Sequence, residues 1–183
     1  VVTSVVPAVE DAFGFAEMQV VSFADLYAGK IVAAFDRQHP RDLFDVRGLL
    51  ANEGVNDALR RAFLVYLISH NRPMAEVLVP TRKPLREEFE RGFVGMTEEP
   101  VTLTELEAAR EAIIAEMVAA MPEDHRRLLV SFKQGEPAWE PLGIPDAPHL
   151  PAVVWKQRTL AQPPEAKPAA QTEPMERGLF SWA

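Results

Sequence analysis

Apolar residues recur at helical spacing over most of this chain. Leu103, Leu106, Ala109, Ile113 and Met117 make the longest such stripe, which is one face of an amphipathic helix. Thr102 and Glu105 stand three apart at its start as a capping box, so the spacing predicts a helix from there to about Ala120. Ser22 and Asp25 repeat that signal and predict a helix over 23–37. Pro40 suits the first position of the next helix, which ends before Gly54. Only Gln38-His39 lies between these two, so they are expected to be neighbours. A third helix is predicted over 57–69, stopped by Arg72-Pro73, with one or two helical turns at 85–91. Pro122 introduces a helix over 123–133 that Gly135 ends, and 151–160 reads as a last short helix. Residues 74–84, marked by Pro80 and Pro84, and the four prolines of 136–150 read as irregular chain. Residues 17–21 are a candidate short strand, while 1–16 show no clear period. From Gln162 on, Pro, Ala, Gln and Glu dominate, and a disordered tail is expected. The expected fold is mainly α: a helical domain with at most a short β element near its N-terminus.

Composition narrows the chemistry. The chain has 183 residues, 48% hydrophobic and 25% charged, which suits one globular domain with a real core. Cysteine is absent, so disulfides, thiol catalysis and Cys-based metal sites are excluded. That absence fits a reducing, cytoplasmic setting. No run approaches the ~20 apolar residues of a membrane span, so no membrane association is expected. The start has no basic segment before an apolar run, so no signal peptide is expected. It also lacks an initiator Met, and the chain is expected to begin inside a longer protein. The net charge of −8, from 19 basic and 27 acidic residues, argues against a surface that coats nucleic acid but leaves room for a local basic pocket. His39, His70, His125 and His149 share no metal-ligand spacing. Arg82, Lys83, Arg86 and Arg91 are nearly cancelled by Glu87, Glu88 and Glu90, which favours a solvated face over an RNA-contacting strip. The Gly92–Met96 turn is expected to pack, and Trp139 and Trp155 to anchor the C-terminal part. Leu179, Phe180 and Trp182 read as a frayed end or a short docking motif.

The most unusual segment is 26–46. Lys30, Ala33, Ala34 and Arg37 fall on one helical face, where two cations beside two alanines let an anion approach closely. Asp42 and Asp45 lie three apart on the next helix, and the short hinge brings them opposite those cations. Such a set suits a nucleoside triphosphate with a divalent ion. Simpler readings stand beside it. Asp42 is favoured in a first helical turn by the unpaired N–H groups there. Arg41 and Asp45, four apart, also suit a surface ion pair.

The string Leu26-Tyr27-Ala28-Gly29-Lys30 through Arg41-Asp42-Leu43-Phe44-Asp45-Val46 resembles the Lys/Arg-Asp-x-x-Asp signature of the AbiEii/AbiGii toxin family. The likeness continues in Ala62–Leu67, Arg91–Met96 and Leu150–Lys156, and covers roughly residues 15–160. Those proteins resemble polymerase-β-type nucleotidyltransferases and serve as toxins in toxin–antitoxin and phage-defence systems. The resemblance implies that Lys30 contacts the triphosphate and that Arg37 supports the phosphates or the acceptor. One of Asp42 and Asp45 would complete the site, and Arg41 would orient it. It implies an NTP substrate, Mg²⁺, an RNA acceptor such as tRNA, and a cognate antitoxin as partner. The family's Gly-rich nucleotide turn and Asp-x-Asp pair have no counterpart in the 183 residues.

The chain is therefore expected to be the carboxy-terminal portion of such an enzyme, catalytically incomplete alone. Residues 1–22 would be a remnant of the nucleotidyltransferase core, 23–161 the helical domain and 162–183 the tail. Residues 1–35 are then expected to be the least well packed ordered part, with Tyr27, Ile31 and Phe35 losing cover. The helix from Thr102 should be among the best packed. The alternative is a non-catalytic helical module that binds an antitoxin or another protein.

Overall fold

The computed structural model describes residues 1–161. The predicted tail and its Leu179, Phe180 and Trp182 lie outside the described residues. The architecture is mainly α, as expected. A small N-terminal unit comes first: β1 (Val2–Ser4), α1 (Pro7–Phe13) and β2 (Glu17–Gln19). The strands pair antiparallel, with Val2 opposite Gln19 and Ser4 opposite Glu17. Neither β1 nor α1 was legible, because three-residue strands and a seven-residue helix are shorter than the windows over which periodicity can be read.

The remaining α-helices follow as α2 (Phe23–Asp36), α3 (Pro40–Asn52), α4 (Asp57–Ser69), α5 (Met74–Leu78), α6 (Arg86–Gly92), α7 (Leu103–Ile114), α8 (Glu123–Gln134) and α9 (Pro151–Ala161). The capping signals are used as read. Ser22 accepts from the Asp25 N–H, and Thr102 and Glu105 form the reciprocal box. Residues 74–78, read as irregular, form α5 because Met74, Val77 and Leu78 all turn into the core. The long helix changes character at Ala115–Ala119, a π-helical turn in which the Ala120 N–H reaches the Ala115 carbonyl. That wider turn still buries Met117 and Val118.

Helix α2 is the hub. Ala28, Ile31, Val32, Ala34 and Phe35 are buried, chiefly against α4, which contributes Leu59, Phe63, Leu64, Leu67 and Ile68. Phe35 meets Phe63 edge to face at 5.6 Å, a favourable aromatic arrangement. At Gly29 the helices approach so closely that an added Cβ would lie 3.3 Å from the Tyr66 ring. The Tyr66 hydroxyl then reaches Asp25 on α2 at 2.9 Å. Helix α3 buries Leu43, Val46 and Leu49 and pairs mainly with α7. These packings correct the expectation for Ile31 and Phe35 on α2, which are buried, whereas Tyr27 is only partly covered. The uncovered apolar surface lies earlier, on Val2, Val6, Phe13, Phe15, Met18 and Val21. Helix α1 and both strands bury none of their residues. The Gly92–Met96 turn packs through Phe93, whose ring lies 5.6 Å from those of Phe44 and Phe89. Trp139 anchors against Phe132 at 5.8 Å, whereas Trp155 stays exposed on α9. The buried residues of α9 are instead Val153 and Lys156, and Lys156 donates to the carbonyls of His70 at 2.7 Å and Arg72 at 2.8 Å beyond the end of α4.

Two imidazoles make stability depend on pH. Burial lowers the pKa of His125, and burial lowers that of His70 against the opposing pull of Asp36. A histidine with a lowered folded pKa contributes fully above its ordinary value of 6.5, and that contribution is lost as pH falls through the folded pKa. Glu105 and Glu111 act in a lower window. Their pKa values are depressed first by the Thr102 N–H and by Arg82 respectively, so their contribution is present above 4.5 and lost below it. The urea midpoint is therefore expected to fall between pH 7.5 and 5, and His125→Leu to flatten that decline. Equal slopes for the variant and the parent would reject the assignment.

Candidate functional site

The hinge between α2 and α3 positions the candidate residues. Helix α2 stops at Asp36, and α3 restarts at Pro40, whose missing N–H is no loss at a first helical position. His39 caps α3 through its ring, with Nδ1 accepting from the Arg41 N–H at 3.2 Å. Between them Gln38 has φ of 53°, and it is the one non-glycine in the left-handed region among the described residues. The reversal places α2 and α3 side by side, so cations on one face carboxylates on the other.

The sequence-predicted residues meet as two ion pairs across that seam. Lys30 donates to Asp45, both about one third exposed. Arg37 Nη2 donates to Asp42 Oδ1 at 2.7 Å. Arg37 is 63% exposed and Asp42 14%, so the guanidinium can swing to a ligand while the carboxylate stays fixed. The other carboxylate oxygen, Asp42 Oδ2, is buried and has no hydrogen-bond partner. A buried anionic oxygen without a donor is costly and is open to a cation or a hydroxyl.

Beside the second pair opens a cleft of about 580 Å³ lined by Arg37, Gln38, His39, Arg41, Asp42 and Lys83, with Pro84, Leu85 and Glu88 closing one side. Lys30 and Asp45 lie outside this lining. Arg41 is exposed and holds the Gly92 carbonyl at 3.2 Å. The N-terminus of α3, with its partial positive charge, sits under the same cleft. Three side-chain cations, Arg37, Arg41 and Lys83, face two carboxylates, Asp42 and Glu88. The wall is therefore net basic in a chain of net charge −8. Such a wall attracts phosphate oxygens, and Arg supplies paired donors for them.

Lys83 and Gln38 were missed as site residues. Lys83 belongs to the basic cluster read as a solvated face, and that reading holds for its neighbours. Arg82 is tied to Glu111 at 2.7 Å, Arg91 to Glu87 at 2.6 Å and Arg86 to Glu90 at 3.4 Å. Lys83 instead donates its Nζ to the Asp36 carbonyl at the end of α2, at 2.8 Å, and so stands in the cleft. Sequence spacing gives no sign of that, since 47 residues separate the pair.

Among the described residues no three histidines or carboxylates gather as a metal-holding group. No helix there is long and apolar enough to cross a membrane.

Comparison with curated proteins and with solved structures yields no match. A family model described as the nucleotidyl transferase AbiEii toxin of type IV toxin–antitoxin systems matches residues 1–158. The match spans the small β–α–β unit, the paired α2–α3 seam and the later helices into α9, and the chain therefore belongs to the AbiEii nucleotidyltransferase toxin family.

Proposed function

We propose that this chain supplies the phosphate-handling wall of a toxin that transfers a nucleotide from an NTP to an RNA acceptor such as tRNA, held in check by a cognate antitoxin. The observation that carries the reading is the α2–α3 seam. Arg37, Arg41 and Lys83 border one cleft, and the buried Asp42 Oδ2 lacks a donor beside them. In this reading Arg37 leaves Asp42 to take phosphate oxygens, Arg41 holds the phosphates from the other side, and Asp42 Oδ2 orients a substrate hydroxyl. Lys30 and Asp45 keep the neighbouring turn electrostatically poised, with Lys30 available to the distal phosphates.

The divalent ion that the family implies does not fit the described residues alone. Asp42 and Asp45 each face a cation already, and among the described residues no third carboxylate or histidine joins them. We place the metal-holding carboxylates in a nucleotidyltransferase core to which residues 1–22 belong, with 23–161 as the helical domain. The bare apolar surface of residues 1–22 supports that division, because such surface is stable only when something covers it. The same surface, together with the burial of Ile31 and Phe35 on α2, also favours the second reading, a non-catalytic module that docks a partner protein.

Label transfer and binding separate the readings. The purified chain, given each labelled NTP, Mg²⁺ and tRNA, is expected to transfer no label. It is expected to bind NTP, and Arg41→Ala should weaken that binding about tenfold, the effect of one charge-assisted contact. Robust transfer would overturn the assignment of the metal carboxylates to a separate core. Absence of any NTP binding would reject the phosphate-handling role and leave the docking module.

A further inference from the structure

We infer that Gln38 is a positioning residue that sets Lys83 beside Arg37 and Arg41, so that the cleft grips a chain of phosphates through several cations rather than one phosphate at a single point. The inference rests on the phosphate-handling role proposed for the cleft and names the device that gives it its span.

The cations of the cleft come from distant parts of the chain. Arg37 and Arg41 flank the hinge itself, whereas Lys83 arrives on the stretch between α5 and α6. Gln38 is the bolt between them. Its Nε2 donates to the Thr81 carbonyl at 2.8 Å, and its Oε1 accepts from the Lys83 N–H at 3.0 Å. Arg110, buried on α7, completes the clamp. Its Nη1 donates to Gln38 Oε1 at 3.2 Å and to the Lys83 carbonyl at 2.9 Å. Both backbone groups of Lys83 are thus held, one by Gln38 and one by Arg110.

The geometry is unusual in two respects. Gln38 is 2% exposed in the middle of a hinge, although glutamine is mostly a surface residue. Its left-handed backbone is uncommon for a side chain of this kind, and such conformations persist only where the surroundings impose them. Glycine would serve the turn without strain. A glutamine there instead carries an amide whose donor and acceptor are both spent on the segment that bears Lys83. Lys83 Nζ meanwhile caps the carbonyl of Asp36, so its ammonium stands at the hinge beside the cations it complements. Loss of the amide would leave the turn intact and free the Lys83 segment.

Calorimetric titration of the full 183-residue chain with inorganic tripolyphosphate and with inorganic phosphate tests this directly. Gln38→Gly keeps the left-handed turn and removes the bolt. It is expected to weaken tripolyphosphate binding about tenfold, as loss of one charged contact does, and orthophosphate binding less than about twofold. Lys83→Ala should do the same, and the double variant should lose no more than either alone, because both remove one interaction. Gln38→Asn, which tolerates the left-handed turn but is one methylene short, should match Gln38→Gly and serves if the glycine variant folds poorly. Equal weakening for both anions, or additive losses in the double variant, would reduce Gln38 to scaffold and overturn the inference. Unchanged tripolyphosphate affinity in both Gln38 variants, with Arg41→Ala still weakening it, would overturn the inference alone. A parent chain that binds no tripolyphosphate would overturn the cleft's role and this inference together.

Discussion

Phe35→Ala is expected to destabilise the chain by about 3–5 kcal/mol, the range seen when a fully buried Phe is truncated in a core that cannot collapse around the void. Phe35 is 2% exposed and packs edge to face on Phe63, at the contact between α2 and α4. Its neighbours Ile31, Leu64 and Leu67 are themselves fully buried, so they have little freedom to move into the gap. Urea unfolding is the measurement, with a lower midpoint and an unchanged slope as the expected outcome. Phe13→Ala is the control. Phe13 is 85% exposed, and its truncation should change stability by less than about 0.5 kcal/mol. A small loss for Phe35→Ala would mean that α2 is loosely held, as expected of a helix stripped of a partner domain, and that the packing against α4 is not its main support.

Under the proposed function, Lys30→Ala in a polypeptide that also carries the proposed metal-bearing core is expected to lower nucleotide transfer by about 10²-fold, the loss typical of removing a preorganised charge near the reacting phosphates. Its effect on stability should be small. The Lys30–Asp45 pair is one third exposed on either side, and exposed pairs contribute about 0–1 kcal/mol. The two magnitudes separate the roles. Initial rates with a saturating NTP, read beside the unfolding midpoint, give both numbers for one variant. A rate loss under about threefold, set against the ~10² of an electrostatic group, would make the pair a brace between α2 and α3. Asp45→Ala sharpens the contrast. If Lys30 acts on phosphate, freeing it from Asp45 leaves its charge in place, and the rate should fall less than in Lys30→Ala.

The helices that bear the candidate residues were legible because their signals are local. Ser22 with Asp25, Thr102 with Glu105, and Pro40 at a first helical position each act within a few residues. The stripe ending in Ile113 and Met117 records which face the core takes. The adjacency of Lys30, Arg37, Asp42 and Asp45 followed from a two-residue hinge, which leaves the chain no room to do otherwise. Helix α5 was hidden by the prolines on either side of it, and β1 and α1 by their lengths of only three and seven residues, whereas β2 fell within the candidate strand at 17–21. The cover of Ile31 and Phe35 was misjudged because α4, which provides it, begins more than thirty positions after α2 starts.

The amino-acid sequence by itself determined where the longer helices start, which of their faces are apolar, and that two cations and two aspartates share the α2–α3 seam. Those properties depend on dihedral preference, capping and periodicity, all of which act over one or two turns. The tertiary structure alone decided how the four divide into pairs, with Arg37 and Asp42 beside the cleft and Lys30 with Asp45 one step away. It also brought Lys83 to that cleft across 45 residues through the amide of Gln38, and Arg110 across 72. A buried amide joins whatever donors and acceptors the packed helices present to it. That choice is made by the fold's long-range contacts and leaves no period or spacing in the chain.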